Sequence, residues 1–463
     1  MIRLMKNEII KLLKKKSFYI VTFIFVLFCI LTNVVYDSSL DTILEENINI
    51  EEIEAENKGL DLSKEDDLAI YVDNLTTLKI EELKEVYSSN EAKYLIENNL
   101  YSLIYQMYES KYVLEDEELY QKYNLELENN ILKIENNDWS YFKEQRIKYL
   151  EKRVNETKDI EKERYQALLK LALYRKEKDV PYDEDHYLHT SILYLEENMY
   201  EYINLLHDDN LTKEEESRLS FLKENMSIHE YVLEHQQDIL NEHTLRAVFT
   251  NFSGEFGIFI LIYVIMLAGS IVSEEYSRGT IKYLLTKPFK RRTILTSKLL
   301  VVILFIPLIM LFMSFFELLI GGIILGFDSL SVPVVLYTSS GLVSYSVLEY
   351  LGLLLLSSLP MYYVIGMVAF MISTVTASTS AAITISFLFY LLGNVISNLA
   401  LIYSLPIFKV FVSLYWDFSY LVTVQTQPFG ASILTSILVV LAYIFLMLCI
   451  AYVFFMKKDV KNI

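Results

Sequence analysis

Ile271-Val-Ser-Glu-Glu-Tyr-Ser-Arg-Gly-Thr-Ile-Lys-Tyr-Leu-Leu-Thr-Lys-Pro-Phe-Lys-Arg-Arg-Thr-Ile-Leu-Thr-Ser-Lys298 stands between two long apolar runs. The run that enters it is expected to continue as helix through Glu274, Glu275 and Arg278, and Gly279 then permits a sharp change of direction. Thr280 is placed to cap a second, short helix over about residues 279–288, with Ile281, Leu284 and Leu285 on one side. Pro288 ends it, because a proline offers no backbone donor to a continuing helix. Thr293 restarts a helix that opens the next apolar run. The expected product is a short, stiff helix lying across one face of a membrane domain and tied to two membrane-crossing helices.

Six apolar runs are long enough to cross a hydrocarbon core: Phe18 to Tyr36, Phe256 to Val272, Leu299 to Phe327, Val347 to Ile372, Ala381 to Ile402 and Ala431 to Met456. The first follows a basic start, as a signal peptide would, but it is about 19 residues long at roughly 1.5 Å per residue and no small-x-small cleavage pattern follows. It reads as a retained span. Six Lys/Arg precede span 1, seven lie from Arg278 to Lys298, and Lys457, Lys458 and Lys461 follow span 6. Basic residues collect on the cytoplasmic side, so all three clusters place both termini and the quoted stretch there. Between spans 5 and 6, Tyr415, Trp416 and Tyr420 read as interfacial anchors. This layout sends residues 37–250 outside the cytoplasm, between residues 1–36 (an amphipathic elbow helix and span 1) and residues 251–463 (spans 2–6).

The two bodies differ in charge. Of the 463 residues 53% are hydrophobic, yet the formal net charge is −19. Residues 37–250 hold 51 Asp/Glu against 24 Lys/Arg, and the rest of the chain holds 9 against 17. The acidic window contains one glycine, Gly59, and one proline, Pro181, a scarcity that sheets with tight turns would not tolerate and long helices would. It is expected to be helical, with Thr212 and Glu215 forming a capping box and turns near residues 61–63, 136–138, 179–185 and 207–210. The whole chain is thus read as all-α. All six histidines fall in this window, and His186 and His189 with Asp183 and Asp185 offer metal-ligand spacing; solvated histidines are the commoner outcome, and no metal site is assigned. Cys29 and Cys449 both lie in apolar runs and form no disulfide or CxxC pattern.

The quoted stretch resembles the signature of ABC-2 type transporter permeases at Glu274 or Glu275, Gly279, Thr280, Leu284, Leu285, Pro288, Arg291, Arg292 and Lys298, with Arg278 beside them. The similarity extends loosely over Phe256 to Met456, including the small polar turn Thr374 to Ser380, and the basic segment Ile2 to Lys16 looks like the family's elbow helix. The enlarged first external loop resembles that of a subset of the family. The resemblance implies that the short helix seats on a cytoplasmic ABC ATPase subunit, and that a second permease copy or paralogue completes a dimer in the lipid bilayer. It also implies outward transport of an amphiphilic substrate such as an antimicrobial peptide, a drug or a lipid. No GxxxxGK[ST] phosphate loop occurs, so ATP and magnesium are expected in the partner ATPase and no cofactor in this chain. No catalytic residue is assigned, since HExxH and GxSxG are absent, and no nucleic-acid partner is expected. Glu317 and Glu349 are intramembrane polar candidates, because a charge at that depth is costly. The alternative is an extracytoplasmic ligand sensor or mechanotransmission protein that signals to a cytoplasmic partner.

Overall fold

The computed structural model describes residues 2–37, 50–285, 289–338, 341–403, 406–423 and 432–457. They divide into two compact units, residues 1–40 with 241–463, and residues 41–240. In the first unit, six helices are long and apolar enough to cross a membrane: Lys16–Asp37, Phe252–Ser270, Arg291–Leu325, Val347–Thr376, Thr379–Tyr403 and Ile433–Lys457. The chain is therefore a mostly helical, multi-pass membrane protein. The elbow helix, Ile2–Leu13, precedes span 1.

Spans 2 and 4 lie innermost in this unit, with 56% and 67% of their central windows buried against 17% for spans 1, 5 and 6. Their approach is close. At Gly366 in span 4, a Cβ atom would meet Ile306 and Val264 at 3.1 and 3.2 Å, so a larger side chain would push three helices apart. Pro307 interrupts the hydrogen-bond ladder of span 3 and frees the carbonyl of Ile303. Tyr363 of span 4 donates its hydroxyl to that carbonyl at 3.2 Å, which satisfies a group that hydrocarbon would leave unpaired. Residues 241–250 also pack here, and the short helix Leu245–Thr250 buries Leu245, Val248 and Phe249 completely.

Three local features depart from the sequence reading. Span 2 ends at Ser270 instead of running on through Glu274 and Glu275, and a separate helix covers Ser273–Ser277. Span 3 begins at Arg291, ahead of Thr293 and well ahead of its apolar run, because basic residues are good helix formers and nothing in Arg291–Ser297 breaks the pattern. Between spans 3 and 4 lies a hairpin, β1 (Val334–Thr338) with β2 (Gly341–Tyr345), antiparallel with Val334 opposite Tyr345. Its Val, Leu and Tyr residues favour a pleated strand over a helix.

The second unit is helical. From Glu65–Val86 onward, Tyr101–Tyr112, Glu117–Glu135, Trp139–Glu156, Asp159–Glu177, Tyr187–Leu206 and Lys213–His235 form a succession in which most neighbours in sequence pack together. All four expected turns fall between helices, and Thr212 with Glu215 forms the capping box. Apolar faces meet around Leu95, Ile96, Leu100 and Ile104, which are fully buried.

Candidate functional site

The connector between spans 2 and 3 is built on a buried knot of charge. Glu275, on the short helix after span 2, accepts from Lys11 Nζ of the elbow at 2.5 Å and from Lys298 Nζ of span 3 at 3.3 Å. Lys298, 1% exposed, also reaches Glu8 at 2.9 Å, and Lys11 lies 3.4 Å from Glu8. Two cations thus face two carboxylates, and the charges balance. Burial would raise the Glu275 carboxyl, but the Lys298 charge, the Lys11 hydrogen bond and the Thr280 hydroxyl outweigh it and hold the group down to about 2. For Lys11, burial would lower the ammonium; its hydrogen bond to Glu275 and the Glu8 charge reverse that and raise it.

The same lysine explains why span 2 stops where it does. Lys298 Nζ donates to the carbonyl of Ile271 at 2.8 Å, so that carbonyl has a partner without a continuing helix. Two hydroxyl contacts fix the segment that follows: the Ser273 amide donates to Ser373 Oγ at 3.0 Å, and Ser273 Oγ lies 2.7 Å from Thr379 Oγ1. The polar turn between spans 4 and 5 therefore buttresses the connector. Outside the knot, Lys15 pairs with Glu274 at 2.7 Å, and Arg278, largely exposed, lies 3.7 Å from the other Glu274 oxygen.

Gly279 has φ of +67°, in the left-handed region that favours glycine, and the chain turns there into the short helix Ile281–Leu285. Ile281 is fully buried, while Lys282 and Tyr283 are exposed. The Thr280 hydroxyl donates to the Glu275 carboxylate, a charged acceptor that makes this a strong hydrogen bond. The backbone of Leu284 and Leu285 completes the helix, and Pro288 lies outside the described residues. Arg291 donates to the carbonyl of Met456 at the end of span 6 at 3.2 Å, whereas Arg292 is exposed.

The two intramembrane candidates separate. Glu317 is fully buried and accepts from Asn33 Nδ2 of span 1 at 2.6 Å. Glu349 is exposed in the first turn of span 4, where its amide donates to the capping Ser346 hydroxyl at 3.3 Å; a carboxylate there is favoured by the helix dipole. In the second unit, Asp183 and Asp185 accept from Asn90, while His189 is fully buried with Nδ1 2.8 Å from Arg175. Among the described residues no group of three or more possible metal ligands occurs.

Sequence reasoning selected Glu275 and Lys298 but missed their partners Glu8 and Lys11, and missed Lys15, Ser273, Ser373 and Thr379. One signal was present: Glu8 is the lone acidic residue in the basic elbow, three positions before Lys11. A family model described as "ABC-2 family transporter protein" matches residues 2–460. The chain is 26% identical over 252 residues, 54% of its length and 80% of the relative's, to "Uncharacterized protein YhcI" of Bacillus subtilis (strain 168). No solved structure matches.

Proposed function

The chain belongs to the ABC-2 transporter family, and from that premise we propose that it is the permease subunit through which a separate ATPase drives an amphiphile outward across the cell membrane. The knot carries this reading. It joins the connector to the elbow, to span 2 and to span 3 at once, so a displacement applied at Tyr283, which is 77% exposed, moves three membrane segments as a body. A loop without buried counter-charges would absorb the same displacement. The partner ATPase holds ATP and magnesium and supplies the closing motion. A second copy or a paralogue completes the pathway between permeases.

Residues 37–250 lie outside the cytoplasm in this reading, and the connector lies inside. An impermeant thiol reagent applied to intact cells should label Asn130→Cys and spare Lys290→Cys, in a background lacking Cys29 and Cys449. In the assembled complex, a short bifunctional reagent should join Tyr283→Cys to the ATPase. Labelling with the opposite sidedness, or a cross-link from Asn130→Cys in place of Tyr283→Cys, would overturn the proposal.

A further inference from the structure

Next to the knot, the elbow and spans 1, 2, 3 and 5 line a partly open cavity of about 260 Å³. Phe18, Leu267, Phe305, Ile309 and Ile383 give it apolar walls. Its lining also carries one cation and one anion side by side: Lys15 Nζ sits 2.7 Å from Glu274 Oε1 and 2.6 Å from Ser270 Oγ. The cavity lies where the elbow, an amphipathic helix of the kind that rests in a membrane interface, turns into span 1. Pockets for drug-sized ligands span roughly 300–1,000 Å³, so this smaller space suits one acyl chain and is too small for a folded peptide or both chains of a diacyl lipid.

The geometry points to a binding site for a single-chain amphiphile with a zwitterionic head. The apolar walls take the chain. The anionic part of the head bonds Lys15 and its cationic part bonds Glu274, so both residues keep a counter-charge when they part. A head of one sign would meet an attractive and a repulsive neighbour together, which is how such a pair discriminates. If the chain is a transporter subunit, as proposed above, occupancy also has a mechanical consequence: it replaces the Lys15–Glu274 contact one residue from Glu275, so a loaded cavity and an empty one hold the connector differently.

Native mass spectrometry of the full chain, without any ATPase, tests the site with three probes of matched chain length: lysophosphatidylcholine, lysophosphatidylglycerol and an alkyltrimethylammonium. One lysophosphatidylcholine should bind at least tenfold more tightly than either of the others. Met266→Trp, which fills the cavity from a half-buried lining position, should weaken it at least tenfold with the melting temperature retained. Ile383→Trp serves as the second filling variant, and Lys15→Gln should shift the preference towards the cationic probe. Equal binding of all three heads, as for boundary lipid, would overturn the assignment, as would unchanged binding in a folded filling variant or an unchanged head preference in Lys15→Gln. Binding without stimulated ATP hydrolysis in the assembled complex would leave the site standing and remove its mechanical link to the connector, whereas failure of the transport reading itself would show as reversed thiol sidedness or a missing Tyr283→Cys cross-link.

Discussion

Among the buried cations, Lys298 in the first unit and Arg175 in the second are held by opposite means. Lys298 is 1% exposed and sits among carboxylates, with Glu8 at 2.9 Å and Glu275 at 3.3 Å. Arg175 in the second unit is 5% exposed and is held by neutral groups: it donates to the Pro181 carbonyl at 3.0 Å, approaches His189 Nδ1 at 2.8 Å and lies 4.5 Å from the centre of the Tyr182 ring. A cation over an aromatic face is stabilised locally and within one body. A cation shared by carboxylates from different segments makes those segments depend on one another, because losing any member leaves an uncompensated charge. The aromatic arrangement stiffens one body, and the carboxylate arrangement ties separate segments to one another.

The comparison breaks hardest at Lys298. Lys298→Met should cost about 3–5 kcal/mol, the usual penalty for orphaning a buried ion, seen as a lower melting temperature in detergent together with lost ATPase stimulation. Lys298→Met with Glu275→Gln restores the charge balance and should recover much of the stability while leaving stimulation absent. Equal stability of Lys298→Met and the wild type would show that the knot is solvated.

Acid should separate the units. The Glu275 carboxyl is depressed to about 2 from an ordinary value near ~4.3, so its contribution is complete above that value and is lost as pH falls from there towards 2. His189 and His229 are depressed to about 4, both by burial and His189 also by the Arg175 charge. Their unfolded forms bind protons first, from an ordinary value near ~6.5, so stability present above it is lost as pH falls towards 4. At pH 5 the second unit should be loosened and the knot intact. The two tryptophans report this separately, since Trp139 lies in the second unit and Trp416 in the first. In single-tryptophan variants, an acid transition seen by Trp416 before Trp139 would contradict the assignment.

Smaller effects sharpen the contrast. Gly279→Val forces a β-branched residue to a φ of +67°, at about 1–3 kcal/mol, and should abolish ATPase stimulation while leaving membrane insertion intact, as shown by normal membrane yield. Tyr363→Phe removes the donor to the Ile303 carbonyl and should lower stability by about 1 kcal/mol in a thermal melt. Glu349→Gln, at an exposed helix start, should shift that melt by less than ~1 kcal/mol.

Much of this molecule is written locally. The spans could be read because crossing hydrocarbon needs a long apolar run, and the second unit because a stretch with a single glycine and a single proline has few ways to be anything but helical. The bend at Gly279 was equally legible, since it follows from one residue's freedom. The hairpin at Val334–Tyr345 was not, because a short run of Val, Leu and Tyr between two spans reads the same in a strand or a frayed helix end. The end of span 2 at Ser270 escaped too, as it depends on Lys298 reaching back 27 positions to a carbonyl.

The sequence by itself determined the six apolar helices, the helical acidic insertion and the turn between spans 2 and 3, because each follows from hydrophobicity, backbone freedom or charge within a short window. Only the tertiary structure decided that Lys11 meets Glu275 across 264 positions, that Glu8 shares Lys298, and that Lys15 and Glu274 stand together at an apolar cavity. A buried charge selects its partner by where packing puts it, and distance along the chain carries no information about that.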